Sequence, residues 1–260
     1  MALLNVDFYS YYLGMDSPLT VLLPEKRGRK PEASPDKKYP VLYLLHGHAD
    51  DNTAWIRKSD LELLVRDHDL IVVMPSAHRS FYTNGRYGHL YFDYITKELP
   101  VIVGNFFPAS ARREDTYIGG LSMGGYGALK LALRAPETFS CAASLSGGVD
   151  IVHICEQTSL ADDHYWEDIF GPADKVRGSF NDLFAAAEEL KASGKPLPKL
   201  YMWCGTEDFL YGENMRMRDH LNALGYELTY EESPGDHQWK YWDQKVQTVL
   251  NWLPLGKEDC

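Results

Sequence analysis

The 260-residue chain has no apolar run long enough to span a bilayer, no internal repeat and no low-complexity tract. A membrane helix needs about 20 consecutive apolar residues, and a solenoid or propeller needs a recurring unit, so neither architecture is expected. Cysteine is scarce. Cys141, Cys155, Cys204 and Cys260 are the full set, and no two form a C-x-x-C pair. That spacing excludes the usual zinc and dithiol motifs. Cys141 and Cys204 fall inside apolar runs, where thiols act as small hydrophobes, so neither a structural disulfide nor a zinc site is expected and a reducing cytoplasm fits best. Basic residues are the minority, 26 Lys and Arg against 37 Asp and Glu, for a formal charge of −11. A balance of that sign argues against nucleic acid or a membrane surface as partner. The first seven residues carry neither a basic region nor a small-residue cleavage site, so no signal peptide is expected.

What is present is ordinary globular composition, 45% hydrophobic and 24% charged, enough for one core in a single domain over residues 1–260. Residues 6–12 and 17–23 read as strands joined at Gly14. Residues 40–45 and 70–75 are continuous apolar runs, as in strands covered on both faces of a parallel sheet. Further strands are expected at 139–145, 200–204 and 227–231. Ser59 can cap a helix carrying Leu61, Leu64 and Val65, and residues 93–107 read as a helix kinked or broken at Pro100. A helix capped by Ser179 presents Leu183, Phe184, Ala187 and Leu190 and ends at Gly194. A closing amphipathic helix aligns Trp239, Trp242, Val246, Val249, Leu250 and Leu253. Residues 25–38 read as a charged, proline-rich loop. Residues 76–90 have no period and are dense in Tyr, Gly, Asn and His, which in a compact domain marks a functional loop. Residues 149–198 read as a small cap-like excursion over the active site. Strands alternating with helices predict an α/β fold with a doubly wound, mostly parallel sheet of about eight strands.

The chain is organised around Gly120-Leu121-Ser122-Met123-Gly124. A short β-prone run precedes this G-x-S-x-G pentapeptide, and Ala128, Leu129, Leu131, Ala132 and Leu133 continue it as a buried helix stopped near Pro136. Strand, sharp turn and helix are the context of a nucleophile elbow. Pushing a hydroxyl clear of the backbone needs a strained turn whose neighbours are nearly side-chain-free, and Gly119, Gly125 and Gly127 add to the two glycines of the motif. The helix then directs its free N–H groups at the serine oxygen.

In such a sheet, functional residues sit beyond the carboxyl ends of the strands. The residues there include Ser122, Asp208 and His237, in the order of a hydrolase triad: nucleophile, acid, base. Serine needs a base, and the base needs a carboxylate to fix its tautomer. Glu207 competes with Asp208 for that role. The developing oxyanion would be held by the backbone N–H groups of Met123 and His48, with Gly47 allowing close approach. A rival sits in His46-x-His48-x-Asp50-Asp51, which resembles the H-x-H-x-D-H metal signature of metallo-β-lactamase-type hydrolases with Asp51 in place of the last histidine. Gly47, Trp55, Phe81, Tyr82, Tyr87 and Trp166 are candidate pocket residues, with Tyr91 and Phe92 in the same aromatic cluster.

Four motifs in this order, residues 44–55 (LLHGHADDNTAW), 120–130 (GLSMGGYGALK), 205–210 (GTEDFL) and 234–242 (PGDHQWKYW), resemble the esterase D-like branch of the α/β-hydrolases. Within it the chain is most similar to bacterial tributyrin esterases. The same branch holds S-formylglutathione hydrolases and the acetylxylan and feruloyl esterases of carbohydrate esterase family 1. The resemblance spans nearly the whole chain. It implies an α/β-hydrolase fold and a cofactor-independent serine esterase of short-chain acyl esters, with Ser122 as nucleophile, Asp208 as acid and His237 as base. The oxyanion loop falls on Gly47 and His48. S-formylglutathione hydrolases carry a cysteine in that loop and this chain does not, which weighs against a glutathione thioester. The expected partner is a small-molecule ester, and a homo-oligomer is left open. The remaining rival is a non-catalytic binding scaffold, which the presence of all three triad residues disfavours.

Overall fold

The computed structural model describes residues 1–25, 36–157 and 164–256. Its strands are β1 (Ala2–Ser10), β2 (Met15–Leu23), β3 (Val41–Leu45), β4 (Ile71–Pro75), β5 (Thr116–Leu121), β6 (Cys141–Leu145), β7 (Lys199–Gly205) and β8 (Leu228–Ser233). They form one sheet in the order β1-β2-β4-β3-β5-β6-β7-β8. The β1–β2 and β2–β4 pairings are antiparallel, and all the others are parallel. Along β3, Val41, Tyr43 and Leu45 enter one apolar cluster while Leu42 and Leu44 enter the other. A core on each face of the sheet is the reason this strand is apolar at every position.

β3 sits between β4 and β5. The chain therefore leaves β3 toward one side of the sheet and crosses to the other at β5. That reversal opens a crevice beyond the carboxyl ends of β3 and β5. The 46–48 loop and Ser122 emerge on its two sides.

Three sequence expectations need correction. The helix around Pro100 does not break there. A π-helical stretch, Tyr94–Glu98, runs into the α-helix Leu99–Phe106, with Pro100 in the first turn and Leu99 N–H bonded to Tyr94 O. A proline ring clashes with the carbonyl four residues back; the wider π turn makes room upstream of it. The N-cap of the helix Leu61–Val65 is Asp60 and not Ser59, although the Ser59 hydroxyl accepts from Leu61 N–H at 3.4 Å; that hydroxyl also donates to Trp55 O and closes an unforeseen helix, Ala54–Lys58. The helix Leu183–Ser193 is capped by Asp182, whose carboxylate accepts from Phe184 N–H, and Gly194 ends it at φ 70° as expected. The region 149–198 also holds helices Ile151–Gln157, Tyr165–Phe170 and Ala173–Val176, each too short to show a period. The expected loop at 25–38 falls mostly outside the described residues, as does Cys260. Cys141 and Cys204 are buried in β6 and β7, and burial pushes their thiols up to about 11 and about 12. No helix among the described residues is long and apolar enough to cross a membrane.

Candidate active site

Ser122 lies between β5 and the helix Met123–Arg134, at φ 54° and ψ −118°. A serine held there is strained by about 1–3 kcal/mol and persists only where the surroundings fix it. Here they do. Ser122 N–H donates to Leu145 O at 2.9 Å, while Ser122 O accepts from the N–H groups of Gly125, Tyr126 and Gly148. The glycines are required by contact. A Cβ on Gly120 would lie 2.5 Å from the Gly124 carbonyl, and one on Gly124 would lie 2.5 Å from Leu45 O and 2.7 Å from His46 O. The serine hydroxyl is thereby aimed into the crevice at the positive end of a twelve-residue helix.

Two loops deliver its partners. His237, after β8, places Nε2 2.9 Å from Ser122 Oγ and Nδ1 2.8 Å from Asp208 Oδ2. Asp208, after β7, is buried, and its other oxygen accepts from Leu210 N–H at 2.9 Å. The neutral tautomer that fits carries its proton on Nδ1, donating to Asp208, so that Nε2 accepts from the serine hydroxyl. Glu207 is occupied elsewhere, accepting from Gly235 N–H and the Thr206 hydroxyl, which pins the turn that carries His237.

The 46–48 loop packs against the turn at Ser122. A Cβ on Gly47 would meet Leu121 Cδ1 at 2.7 Å and Ser122 Cβ at 3.7 Å, so any larger residue there would have to displace the Leu121 side chain. Met123, as the first helical residue, has an N–H with no acceptor inside its helix. The donors of a metal site are dispersed. His46 Nε2 accepts from Ala77 N–H at 2.9 Å and Nδ1–H donates to Gly47 O, so both ring nitrogens are committed. His48 Nε2 accepts from Arg79 Nε–H at 3.0 Å and lies 2.8 Å from the Tyr165 hydroxyl. Asp50 pairs with Lys58, and Asp51 binds Thr53 and Arg57. Among the described residues no three His, Cys, Asp or Glu side chains converge to hold an ion. Burial holds His46 below its ordinary value; for His48 burial comes first and the Arg79 charge second.

The structure separates the aromatic candidates. Phe81 and Trp166 belong together, with ring centroids 5.2 Å apart, and Phe81 also meets His48 at 5.7 Å. Tyr82 is fully buried and donates to His46 O at 2.9 Å, which holds the 46–48 loop from behind. Trp55 is core: its indole N–H donates to Leu45 O and its ring packs edge-on against Trp239. Tyr87 lies 74% exposed on a different cleft of about 540 Å³, shared with Met15, His78, His89 and Tyr91 and without Ser122 or His237.

Besides the cap Asp182, two buried charged residues escaped the sequence reading. Lys130, on the elbow helix, is fully buried and donates to Thr83 Oγ1 and Asn181 Oδ1, each at 2.6 Å. Burial and then the Arg134 charge hold its amine well below the ordinary lysine value. Its one available signal was spacing, seven residues from Met123 on a helical face otherwise apolar. Glu213, in the helix Tyr211–Ala223, is buried, and burial followed by the Asp150 charge raises it to about 7. Because the folded state keeps this proton to higher pH than the unfolded chain, stability falls as pH rises from the ordinary carboxylate range through about 7. Glu213→Gln should therefore raise Tm by roughly 2–4 °C at pH 8 and leave it unchanged at pH 4, as thermal melts at the two pH values will read.

An eight-stranded, mostly parallel sheet with a strained serine bonded to a histidine at the sheet's reversal defines a serine hydrolase of the α/β-hydrolase fold. The chain belongs to the Esterase family, whose model ("Putative esterase") matches residues 10–253. It is 32% identical over 268 residues to the acetyl esterase of Caldicellulosiruptor saccharolyticus, covering 97% of this chain and 98% of that protein. Two solved structures from Staphylococcus aureus are similar, each 35% identical and covering 97% of this chain and 98% of the other. One is the fluorophosphonate-binding serine hydrolase FphF, substrate bound, with a TM-score of 0.90. The other is the S-formylglutathione hydrolase FrmB, with a TM-score of 0.86. The protein is a serine carboxylic ester hydrolase.

Proposed function

We propose that Ser122, His237 and Asp208 form a catalytic triad that hydrolyses short-chain acyl esters through an acyl-enzyme, within one α/β-hydrolase domain. The observation that carries this reading is the unbroken chain from Ser122 Oγ through His237 to Asp208 Oδ2, with links of 2.9 and 2.8 Å. Ser122 Oγ attacks the ester carbonyl as its proton passes to His237 Nε2, and Asp208 stabilises the imidazolium. The N–H groups of Met123 and His48 receive the oxyanion. Collapse breaks the bond to the alcohol, which leaves with the proton from His237. Water, deprotonated by His237, then attacks the acyl-enzyme; the acyl bond to Ser122 Oγ breaks as His237 returns the proton to that oxygen, and the carboxylic acid departs. These side chains account for every bond and proton, so no cofactor is invoked. The buried thiols suit a reducing cytoplasm.

The acyl range is tested with p-nitrophenyl esters from acetate to octanoate, alongside methyl ferulate and S-formylglutathione. The expected kcat/KM maximum lies between acetate and butyrate and falls by about 10-fold or more at octanoate. A maximum at octanoate, or at methyl ferulate, overturns the short-chain reading. The similarity to the S. aureus S-formylglutathione hydrolase supports a second reading, a thioesterase, which holds if S-formylglutathione is the best substrate of the set.

A further inference from the structure

Phe209 follows Asp208 directly and is 77% exposed. Its ring lies over His237, with centroids 4.7 Å apart and planes at 50°, while Trp242 closes another side of the imidazole edge-on at 4.8 Å. Among the described residues, no other exposed large hydrophobic makes a ring contact with His237. The backbone around Phe209 is fixed. Asp208 N–H donates to Gly205 O, Tyr211 N–H to Asp208 O, and Glu207 N–H to Gly235 O. Leu210 N–H donates to the same Asp208 carboxylate that holds His237. The ring is thus presented to solvent by a rigid turn.

Its place decides what it meets. Resting on the triad reading, the alcohol oxygen takes its proton from His237 Nε2 and must sit beside that imidazole when the ester bond breaks. Whatever is attached to the oxygen then reaches outward past the histidine, where Phe209 offers an uncovered aromatic face. A flat ring gains offset or edge-on contact there beyond the gain from simple area burial. We propose that Phe209 is a specificity-determining residue that forms the alcohol side of the substrate site and selects esters of aromatic alcohols over those of small aliphatic ones.

The test holds the acyl group constant. Benzyl acetate and ethyl acetate pass through the same acetyl-enzyme, so an alcohol preference resides in acylation and is read as the ratio of their kcat/KM values. Phe209→Ala should lower the benzyl-to-ethyl ratio about 10-fold, and Phe209→Trp should keep or raise it. If alanine lowers both esters equally, the ring only screens or steadies His237 and the proposal fails. An unchanged ratio at unchanged rates makes it a bystander and also ends the proposal. Failure of the triad reading is read separately, from turnover of ethyl acetate that survives in Ser122→Ala.

Discussion

Ser122→Ala should lower kcat on any ester by roughly 10⁵-fold or more, the largest effect expected for a single residue in this protein. The mutant loses the atom that forms the acyl-enzyme, and its neighbours offer no substitute. His46 has both nitrogens bonded to backbone, and Lys130, on the elbow helix, is fully buried with its amine bonded to Thr83 and Asn181. The fold should survive, because the strained backbone at residue 122 is held by main-chain bonds to Leu145, Gly125, Tyr126 and Gly148 that alanine retains. Residues acting as one unit are non-additive. Adding His237→Ala to Ser122→Ala should therefore cost little more, since a base without a nucleophile has nothing to activate. Pre-steady-state assays with p-nitrophenyl acetate check both points: the wild type releases a burst of nitrophenol, and the mutants release none. A burst of normal size from Ser122→Ala would falsify the triad.

The second large effect is expected from a residue with no side chain. Gly124→Ala places a methyl group 2.5 Å from Leu45 O and 2.7 Å from His46 O, against backbone that cannot swing aside as a flexible side chain can. Either the elbow helix retreats or the end of β3 moves, at a cost of about 2–4 kcal/mol in stability. Both moves also displace the 46–48 loop relative to Ser122, where the proposed oxyanion donors lie. Losing one such donor costs about 10²–10³-fold in kcat. Urea unfolding reads the first effect as a lower midpoint. The second appears as a fall in kcat among molecules still folded, counted by fluorophosphonate titration. Wild-type values in both assays would show that the close approach at Gly124 is not a constraint. Gly125 meets Ser144 and Gly147 instead, so the two adjacent glycines serve different contacts.

Much of this was written in the sequence because it is local. Strands apolar at every position, glycines around Ser122 and a helix closed at Gly194 follow from short-range sterics and from burial on both sheet faces, which leave marks within a few residues. The order of serine, acid and histidine was likewise readable. The stretch Tyr94–Glu98 shows the limit of such reading: Pro100 signals trouble for a helix, but whether the chain kinks or widens depends on what it packs against. The same holds for Asp182 over Ser179, since either can cap and the docking of the helix chooses.

Asp208 was already preferred to Glu207 in the sequence, but what sets these neighbours of like charge apart is tertiary structure. One points inward to His237 and the other holds Gly235, because the turn after β8 folds back over the end of β7. It also dispersed His46, His48, Asp50 and Asp51, a compact cluster in sequence whose side chains bind four different neighbourhoods. Tyr87 went to a separate cleft, Trp55 to the core and Phe209 onto the histidine. Sequence determines which groups are available and what the backbone near them can do. Their distances and directions are set by contacts between residues far apart in the chain, such as Ser122 and His237, and those come into being only when the sheet closes its core on both faces.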